Sequence, residues 1–309
     1  MTRPRIVFAG SPAVAVPSLA ALVASGQDVV GVVTREDSPL GRRRVLTATP
    51  VAVAAEERGL PVIRANRLTG DAASRIAALE PDLGVIVAYG GLVREPLLSL
   101  PAHGWINLHF SLLPRWRGAA PVQHAILAGD ELTGASVFRL VEGLDEGPVY
   151  GTLTQSIGAQ ETAGHLLVSL AESGAELLSR VVESIAAGTA RAEAQEGDPT
   201  FAPKLTSADG RIDWSERASA IDHRIRAVTP EPGASTTVDG AALKILGAAL
   251  ARDAAPRPPG RIEEEGGRIL VGTASEPIEL LLVQPAGKRL MPATDWWRGR
   301  RGEQGVIAR

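Results

Sequence analysis

Cysteine is missing from all 309 residues, which excludes disulfides, thiolate metal sites, iron–sulfur clusters and a cysteine nucleophile. Nor is there an apolar run near the roughly 18 residues that a membrane span requires. The opening MTRPRIVFAGSP carries an apolar stretch only as long as one buried strand, and no small-residue cleavage pattern follows it. A soluble cytoplasmic chain with no membrane partner is therefore expected. The spellings H-x-x-x-H and H-E-x-x-H do not occur, and His103, His124, His165 and His223 have no metal-ligand spacing among themselves, so no metal is expected. No G-x-S-x-G frames a serine. No Walker-type phosphate loop is present, and the first turn reads Gly10-Ser-Pro-Ala in place of G-x-G-x-x-G; both facts count against a dinucleotide site.

The residues that are present, 45% hydrophobic and 22% charged, suffice for a large core, and the length suggests two domains. A net charge of −3 gives no global sign of nucleic-acid binding. Its distribution says more, because residues 288–309 hold six basic side chains against two acidic ones. Such a tail can touch phosphates, but more often it is simply solvated.

Residues 1–150 alternate between short apolar strands and helix-like runs. Strands read at 5–9, 28–34, 61–63, 83–89 and 105–110, with helices up to residue 24, over 50–58, near 72–79 and over 121–128. That alternation implies a parallel sheet covered by helices on both faces, with ligands at the carboxyl ends of the strands. Strands at 134–141 and 149–157 follow, close enough to pair, and then a long amphipathic helix over 163–187 ended by Gly188. Residues 189–208 are rich in Glu, Gln, Asp, Pro and Thr and read as a linker. The expected division is thus a first domain at 1–188, a linker at 189–208 and a second domain at 209–309. The last has a helix near 215–228 and β-like runs at 243–246, 268–271 and 278–283 between Gly/Pro turns, a pattern that suits a small barrel or sandwich.

Two side chains stand out at the end of the strand at 105–110. Asn107 and His109 are two residues apart, so on a strand they point the same way. An amide and an imidazole side by side can donate hydrogen bonds to a carbonyl oxygen that becomes anionic, and His109 can also move a proton. Ordinary strand-end residues satisfying a loop are the equal alternative. The following Ser111-Leu-Leu-Pro-Arg-Trp-Arg-Gly118 puts large apolar side chains in a turn-rich loop, where Leu112 and Leu113 either wall a slot or dock the loop on the sheet. Asp145 lies between Gly143 and Gly147, placed either to orient an imidazole and take up a proton or to cap its own turn. Trp296-Trp297 beside Arg298, Arg300 and Arg301 suits stacking on nucleic acid, although packing of a terminal helix explains it more simply.

Taken together, Asn107-x-His109, the Ser-Leu-Leu-Pro loop and Gly-Leu-Asp145-x-Gly resemble the 10-formyltetrahydrofolate-dependent formyltransferases. The resemblance continues in Phe8-Ala-Gly-Ser-Pro12, Thr49-Pro50-Val51, Ala88-Tyr89-Gly90, Arg115-Trp-Arg-Gly-Ala-Ala-Pro121, Lys204-Leu…Gly-Arg-Ile-Asp-Trp214 and Gln284-Pro-Ala-Gly-Lys288, and so covers nearly the whole chain. It implies an α/β fold, a Rossmann-like parallel-sheet catalytic domain followed by a small OB-like β-barrel that binds tRNA. It implies 10-formyltetrahydrofolate as formyl donor, no metal, a monomer, and as acceptor the α-amine of methionine on initiator tRNA, for translation initiation. Residue by residue, Asn107, His109 and Asp145 fall on the family's catalytic trio. Val87, Ala88, Tyr89, Gly90 and Gly91, with Ser111, Leu112, Leu113, Pro114 and the segment leading to Asp145, fall on its folate-binding walls. Arg42, Arg43 and Arg44 fall on a loop that approaches the tRNA acceptor end; by composition alone they are a solvated basic loop. Two departures stand in this chain, Glu231 between prolines where the family has an aromatic residue, and Arg139 at a strand position usually apolar or aromatic.

The implied chemistry is direct acyl transfer without a covalent enzyme intermediate. Asn107 and His109 would hold the oxyanion while Asp145 orients His109 and helps move the proton of the attacking amine. Other acceptors define the alternatives. An amino sugar-nucleotide formyltransferase shares the trio; a glycinamide ribonucleotide formyltransferase lacks a region like 205–309; a formyltetrahydrofolate hydrolase carries an N-terminal regulatory domain. From another class, a non-catalytic tRNA-binding protein would not need Asn107, His109 and Asp145.

Overall fold

The computed structural model describes residues 3–41, 44–300 and 306–309. Contacts divide the chain into two units, each discontinuous in sequence. The first is Met1–Pro121, Leu132–Ser156 and Leu167–Ala202; the second is Val122–Glu131, Ile157–Leu166 and Pro203–Arg309.

The first half of the chain runs β1 (Arg5–Gly10), α1 (Val16–Ala24), β2 (Asp28–Thr34), β3 (Ser38–Leu40), β4 (Val45–Thr47), α2 (Pro50–Glu56), β5 (Val62–Arg64), α3 (Asp71–Ala77), β6 (Leu83–Val87) and β7 (Trp105–His109). It continues through β8 (Arg117–Gly118), α4 (Pro121–Ala128), β9 (Leu132–Arg139), β10 (Val149–Ser156), α5 (Ala163–Ala186) and β11 (Phe201–Ala202). Seven strands form one sheet in the order β10-β9-β7-β6-β1-β2-β5. From β5 to β7 the pairs are parallel. The expected parallel sheet stops there, because β9 runs antiparallel to β7 and β10 antiparallel to β9. Parallel strands need long crossovers, whereas the loop between β9 and β10 is short enough for an antiparallel return.

Strands β1 and β6 are buried along nearly their whole length because helices cover the sheet. One core cluster joins Val7, Val33, Ile86 and Trp105 of the sheet to Ala72 and Ile76 of α3. Trp105 fits only because Gly84 on the neighbouring strand has no side chain; a Cβ there would lie 2.1 Å from the indole ring. On the other face, α5 meets the sheet at Gly174, where a Cβ would lie 3.1 Å from Leu108. Leu108 therefore points to α5, and alternation along β7 turns Trp105, Asn107 and His109 to the opposite face. Helix α2 starts where Thr49 caps it, accepting the Ala52 N–H at 3.1 Å, with Pro50 as first residue.

The second unit carries α6 (Ala218–Ala227), β12 (Ala234–Val238), β13 (Ala241–Leu250), β14 (Ile262–Glu265), β15 (Arg268–Val271), β16 (Ile278–Pro285), β17 (Met291–Pro292) and α7 (Ala293–Arg298). Its antiparallel sheet is ordered β12-β13-β16-β15-β14, with β17 added on β16. Residues 306–309 close this sheet. Val238 bridges Ala308, Arg261 bridges Ile307, and Thr237 and Arg309 exchange both backbone hydrogen bonds. Both edges, β12 and β14, are thereby paired, which gives the barrel expected from the sequence. The end of the tail is anchored, Val306 and Ala308 being buried in the second core cluster, while Lys288, Arg289, Arg298 and Arg309 are exposed. Trp296 and Trp297 pack against the same core, with the Arg300 guanidinium 5.6 Å over the Trp296 ring, so helix packing is the role the structure gives them.

Candidate active site

The carboxyl end of β7 presents Asn107 half-buried and His109 buried. Among the described residues the Asn107 side chain makes no hydrogen bond to the protein, which leaves its amide free for a ligand. His109 Nε2 lies 2.9 Å from the Trp116 carbonyl oxygen. A carbonyl can only accept, so Nε2 carries the proton. Nδ1 then faces Asp145 Oδ2 at 3.8 Å, within ion-pair range but too long for a hydrogen bond. Burial holds the imidazole below its ordinary pKa, partly countered by the Asp145 charge and the Trp116 carbonyl. The His109 ring and that of Phe138 of β9 meet nearly at right angles, 85°, at a centroid distance of 6.4 Å.

Asp145 belongs to the loop between β9 and β10 and is buried. Its backbone is left-handed, φ 51°, a conformation aspartate tolerates better than most non-glycine residues. Its carboxylate does not cap its own turn. Oδ2 accepts the Gly118 N–H at 2.8 Å, from β8. Gly118 itself has φ 122°, and a Cβ there would lie 2.8 Å from the Ala202 carbonyl oxygen; glycine is required at this close approach.

The remaining residues expected at the site divide sharply. Val87 and Tyr89 are core residues, the Tyr89 hydroxyl donating to the Ala65 carbonyl at 2.6 Å; burial pushes that phenol above its ordinary pKa. Ala88 and Gly90 are exposed with positive φ, 49° and 77°, and Gly91 is half-buried, so this turn offers a ligand backbone rather than side chains. Ser111 is buried and its hydroxyl goes to the Arg115 carbonyl. Leu112, Leu113 and Pro114 are half-buried. The loop is docked on β9: Ser136 Oγ donates to the Ser111 carbonyl at 2.7 Å and accepts the Leu113 N–H at 3.2 Å. Arg44 is exposed between β3 and β4, and Arg42 and Arg43 lie outside the described residues. A cavity of about 570 Å³ opens beside the loop that bears Asp145, lined among others by Leu98, Pro101, Arg139, Leu140 and Val141. Arg139 is thus a cleft residue and not a packing residue. Glu231 is exposed. Among the described residues no three His, Asp or Glu side chains are grouped to hold a metal ion, and no helix is long and apolar enough to cross a membrane.

Sequence reasoning missed two members of the site, Arg117 and Gln195. Gln195 Nε2 donates to the carbonyls of Asp145 at 2.7 Å and Gly147 at 2.8 Å. Its Oε1 accepts from Arg117 Nη2 at 2.7 Å and Nε at 3.2 Å. Arg117 Nη1 also lies 3.4 Å from Glu146. No local signal marks Gln195, which sits in the polar stretch read as a linker.

A family model described as formyl transferase matches residues 4–182, and one described as formyl transferase, C-terminal domain, matches residues 204–301. The chain is 63% identical over 295 residues to the methionyl-tRNA formyltransferase of Clavibacter sepedonicus, covering 96% of this chain and 97% of that protein. It is 60% identical to the methionyl-tRNA formyltransferase of Leifsonia xyli subsp. xyli (strain CTCB07), covering 97% and 98%. Among solved structures, the N-formyltransferase from Helicobacter canadensis, complexed with folinic acid and dTDP-3-aminofucose, aligns with a TM-score of 0.70 at 17% identity over 91% of this chain and 99% of that one. A sugar 3N-formyl transferase, WlaRD, aligns with a TM-score of 0.69 at 16% identity over 94% and 100%. At such identities the structures speak for the fold alone.

Proposed function

The chain belongs to the formyl transferase family in both its N-terminal and its C-terminal part, and from that premise we propose that it transfers a formyl group from 10-formyltetrahydrofolate to the α-amine of methionyl-initiator tRNA. The observation that carries the reading is identity of 60–63% along nearly the full length to proteins named for that reaction. The site supports it with an unengaged amide at Asn107, a buried neutral imidazole at His109 and a fixed carboxylate at Asp145. The setting of the reaction is the cytoplasm, and the working unit is a monomer.

In this reading the α-amine attacks the formyl carbon, a new carbon–nitrogen bond forms, and the bond from that carbon to N10 of the folate breaks. The proton lost by the amine ends on N10. Asn107 donates to the oxygen that becomes negative. His109 already carries its proton on Nε2, given to the Trp116 carbonyl, and the developing oxyanion competes for it. The Asp145 charge, 3.8 Å from Nδ1, stabilises positive charge on the ring and offers a temporary seat for the amine proton. The backbone turn at 88–91, the loop 111–114 and the segment leading to Asp145 hold the folate. The arginines at 42–44 meet the phosphates of the acceptor end.

One assay tests the reading. Labelled 10-formyltetrahydrofolate is incubated with the chain and methionyl-initiator tRNA, an amino sugar-nucleotide, or neither. Label is expected on the tRNA-bound methionine only, and Asn107→Ala is expected to lower turnover about 10²–10³-fold, the usual loss for one oxyanion donor. Label on the sugar nucleotide alone overturns the acceptor; unchanged turnover of Asn107→Ala overturns the role of that residue.

A further inference from the structure

Residues 193–202 lie across the site as a strap. At one end Glu193 and Val149 exchange backbone hydrogen bonds at 2.7 and 2.9 Å. At the other, β11 pairs in parallel with β8, Thr200 Oγ1 accepts the Trp116 N–H at 2.9 Å, and Ala202 accepts the Ala120 N–H. The 116–118 segment, which gives His109 and Asp145 their partners, and the strand that follows the Asp145 loop are therefore tied to one stretch of chain. Gln195 sits between these two anchors.

We propose that Gln195 is a positioning residue for catalysis: its amide, clamped by Arg117, holds the left-handed turn at Asp145 and so sets where the carboxylate stands relative to His109 and Gly118. The assignment of its atoms is not arbitrary. Carbonyls only accept and a guanidinium only donates, so the nitrogen must face Asp145 and Gly147 and the oxygen must face Arg117. All of its hydrogen-bonding capacity is thus used, two donated bonds and two accepted ones. The two donated bonds bracket residues 145–147, so the amide spans the turn that aims the Asp145 side chain. Arg117 is itself held by backbone pairing to β11, and the next residue, Gly118, gives its N–H to the carboxylate. The same two-residue strand therefore grips the carboxylate directly and, through Gln195, grips its backbone.

The proposal rests on the formyl-transfer reading, and its test separates the two. Gln195→Glu keeps the shape and the bond to Arg117 but places oxygen where two donors faced two carbonyls; Gln195→Ala removes both contacts. Both variants are expected to lose about 10–100-fold in kcat, as a displacement of order 1 Å does, with KM for folate and for tRNA within about threefold of wild type. Independently of activity, the Gly118 amide is expected to exchange with solvent at least about tenfold faster in both variants, while amides of β1 and β2 keep their rates. Wild-type activity in Gln195→Glu would mean that the donated bonds do not matter and would overturn the proposal. So would unchanged Gly118 exchange, or faster exchange throughout the sheet, which marks general destabilisation. If the wild-type chain transfers no formyl to methionyl-tRNA, the functional reading fails, and Gly118 exchange still decides whether Gln195 holds the turn.

Discussion

His109 illustrates how a single side chain is set by its surroundings. Burial penalises the imidazolium more than the Asp145 charge and the Trp116 carbonyl favour it, so the folded protein holds the ring below the pKa of an exposed histidine. The unfolded chain, with an ordinary value of about 6.5, then binds the proton more readily than the folded one as pH falls. Stability contributed by neutral His109 is present above that ordinary value and is lost as pH drops through it towards the lower folded value. Thermal midpoints of wild type and His109→Gln, measured from pH 8 to pH 5, are expected to diverge in slope below about pH 6.5. The wild type should fall more steeply, and parallel curves would contradict a depressed histidine. Asn107, His109 and Asp145 were legible as candidates because amide, imidazole and carboxylate carry their chemistry in their names and glycines frame the aspartate. Their partners were not: the Trp116 carbonyl, the Gly118 N–H and the Gln195 amide are groups that nearly every sequence contains, and only distance selects them.

At the scale of elements, packing rather than propensity decides the difficult places. Gly84 is the second residue of β6, inside a strand, where glycine is intrinsically costly, yet its missing side chain is what admits the Trp105 indole, which in turn donates to the Leu97 carbonyl at 2.8 Å. Gly84→Ala is expected to destabilise by about 1–3 kcal/mol through overpacking, seen as a lower denaturation midpoint in urea with an unchanged slope. Because Trp105 begins the strand that ends in Asn107 and His109, the same variant should lose some turnover even where it remains folded. Long apolar or amphipathic runs were readable: β2, α4 and β15 appear at the residues their patterns marked, and α5 within one residue of its expected end. Strand β12, Ala-Ser-Thr-Thr-Val, and β14, Ile followed by three glutamates, escaped because neither is apolar enough to announce itself; neighbouring strands and the tail recruit them. The two-residue pairing of β8 with β11 has no period at all, which is why the strap at 193–202 read as a linker.

For the whole molecule the decisive contacts join residues far apart in sequence. The four residues 306–309 pair with both open edges of the second unit's sheet, and an unpaired edge invites association with other chains. Deleting 306–309 is expected to lower the thermal midpoint and to promote concentration-dependent aggregation, measured by calorimetry and light scattering; a monomeric variant with an unchanged midpoint would show that the closure contributes nothing. The discontinuous units make the same point, since Val122–Glu131 and Ile157–Leu166 group with Pro203–Arg309 across long separations. Side-chain chemistry and periods of 2 and 3.6 residues within one short window suffice for the α/β class, the succession of buried strands and helices, the exclusion of cysteine chemistry and the candidate trio. Tertiary structure alone decided the antiparallel turn of the sheet at β9, the closing of the barrel by the tail and the grip of Gln195 on Asp145. Those depend on backbone groups that are chemically alike at every position and become distinct only when folding brings particular ones within hydrogen-bond reach.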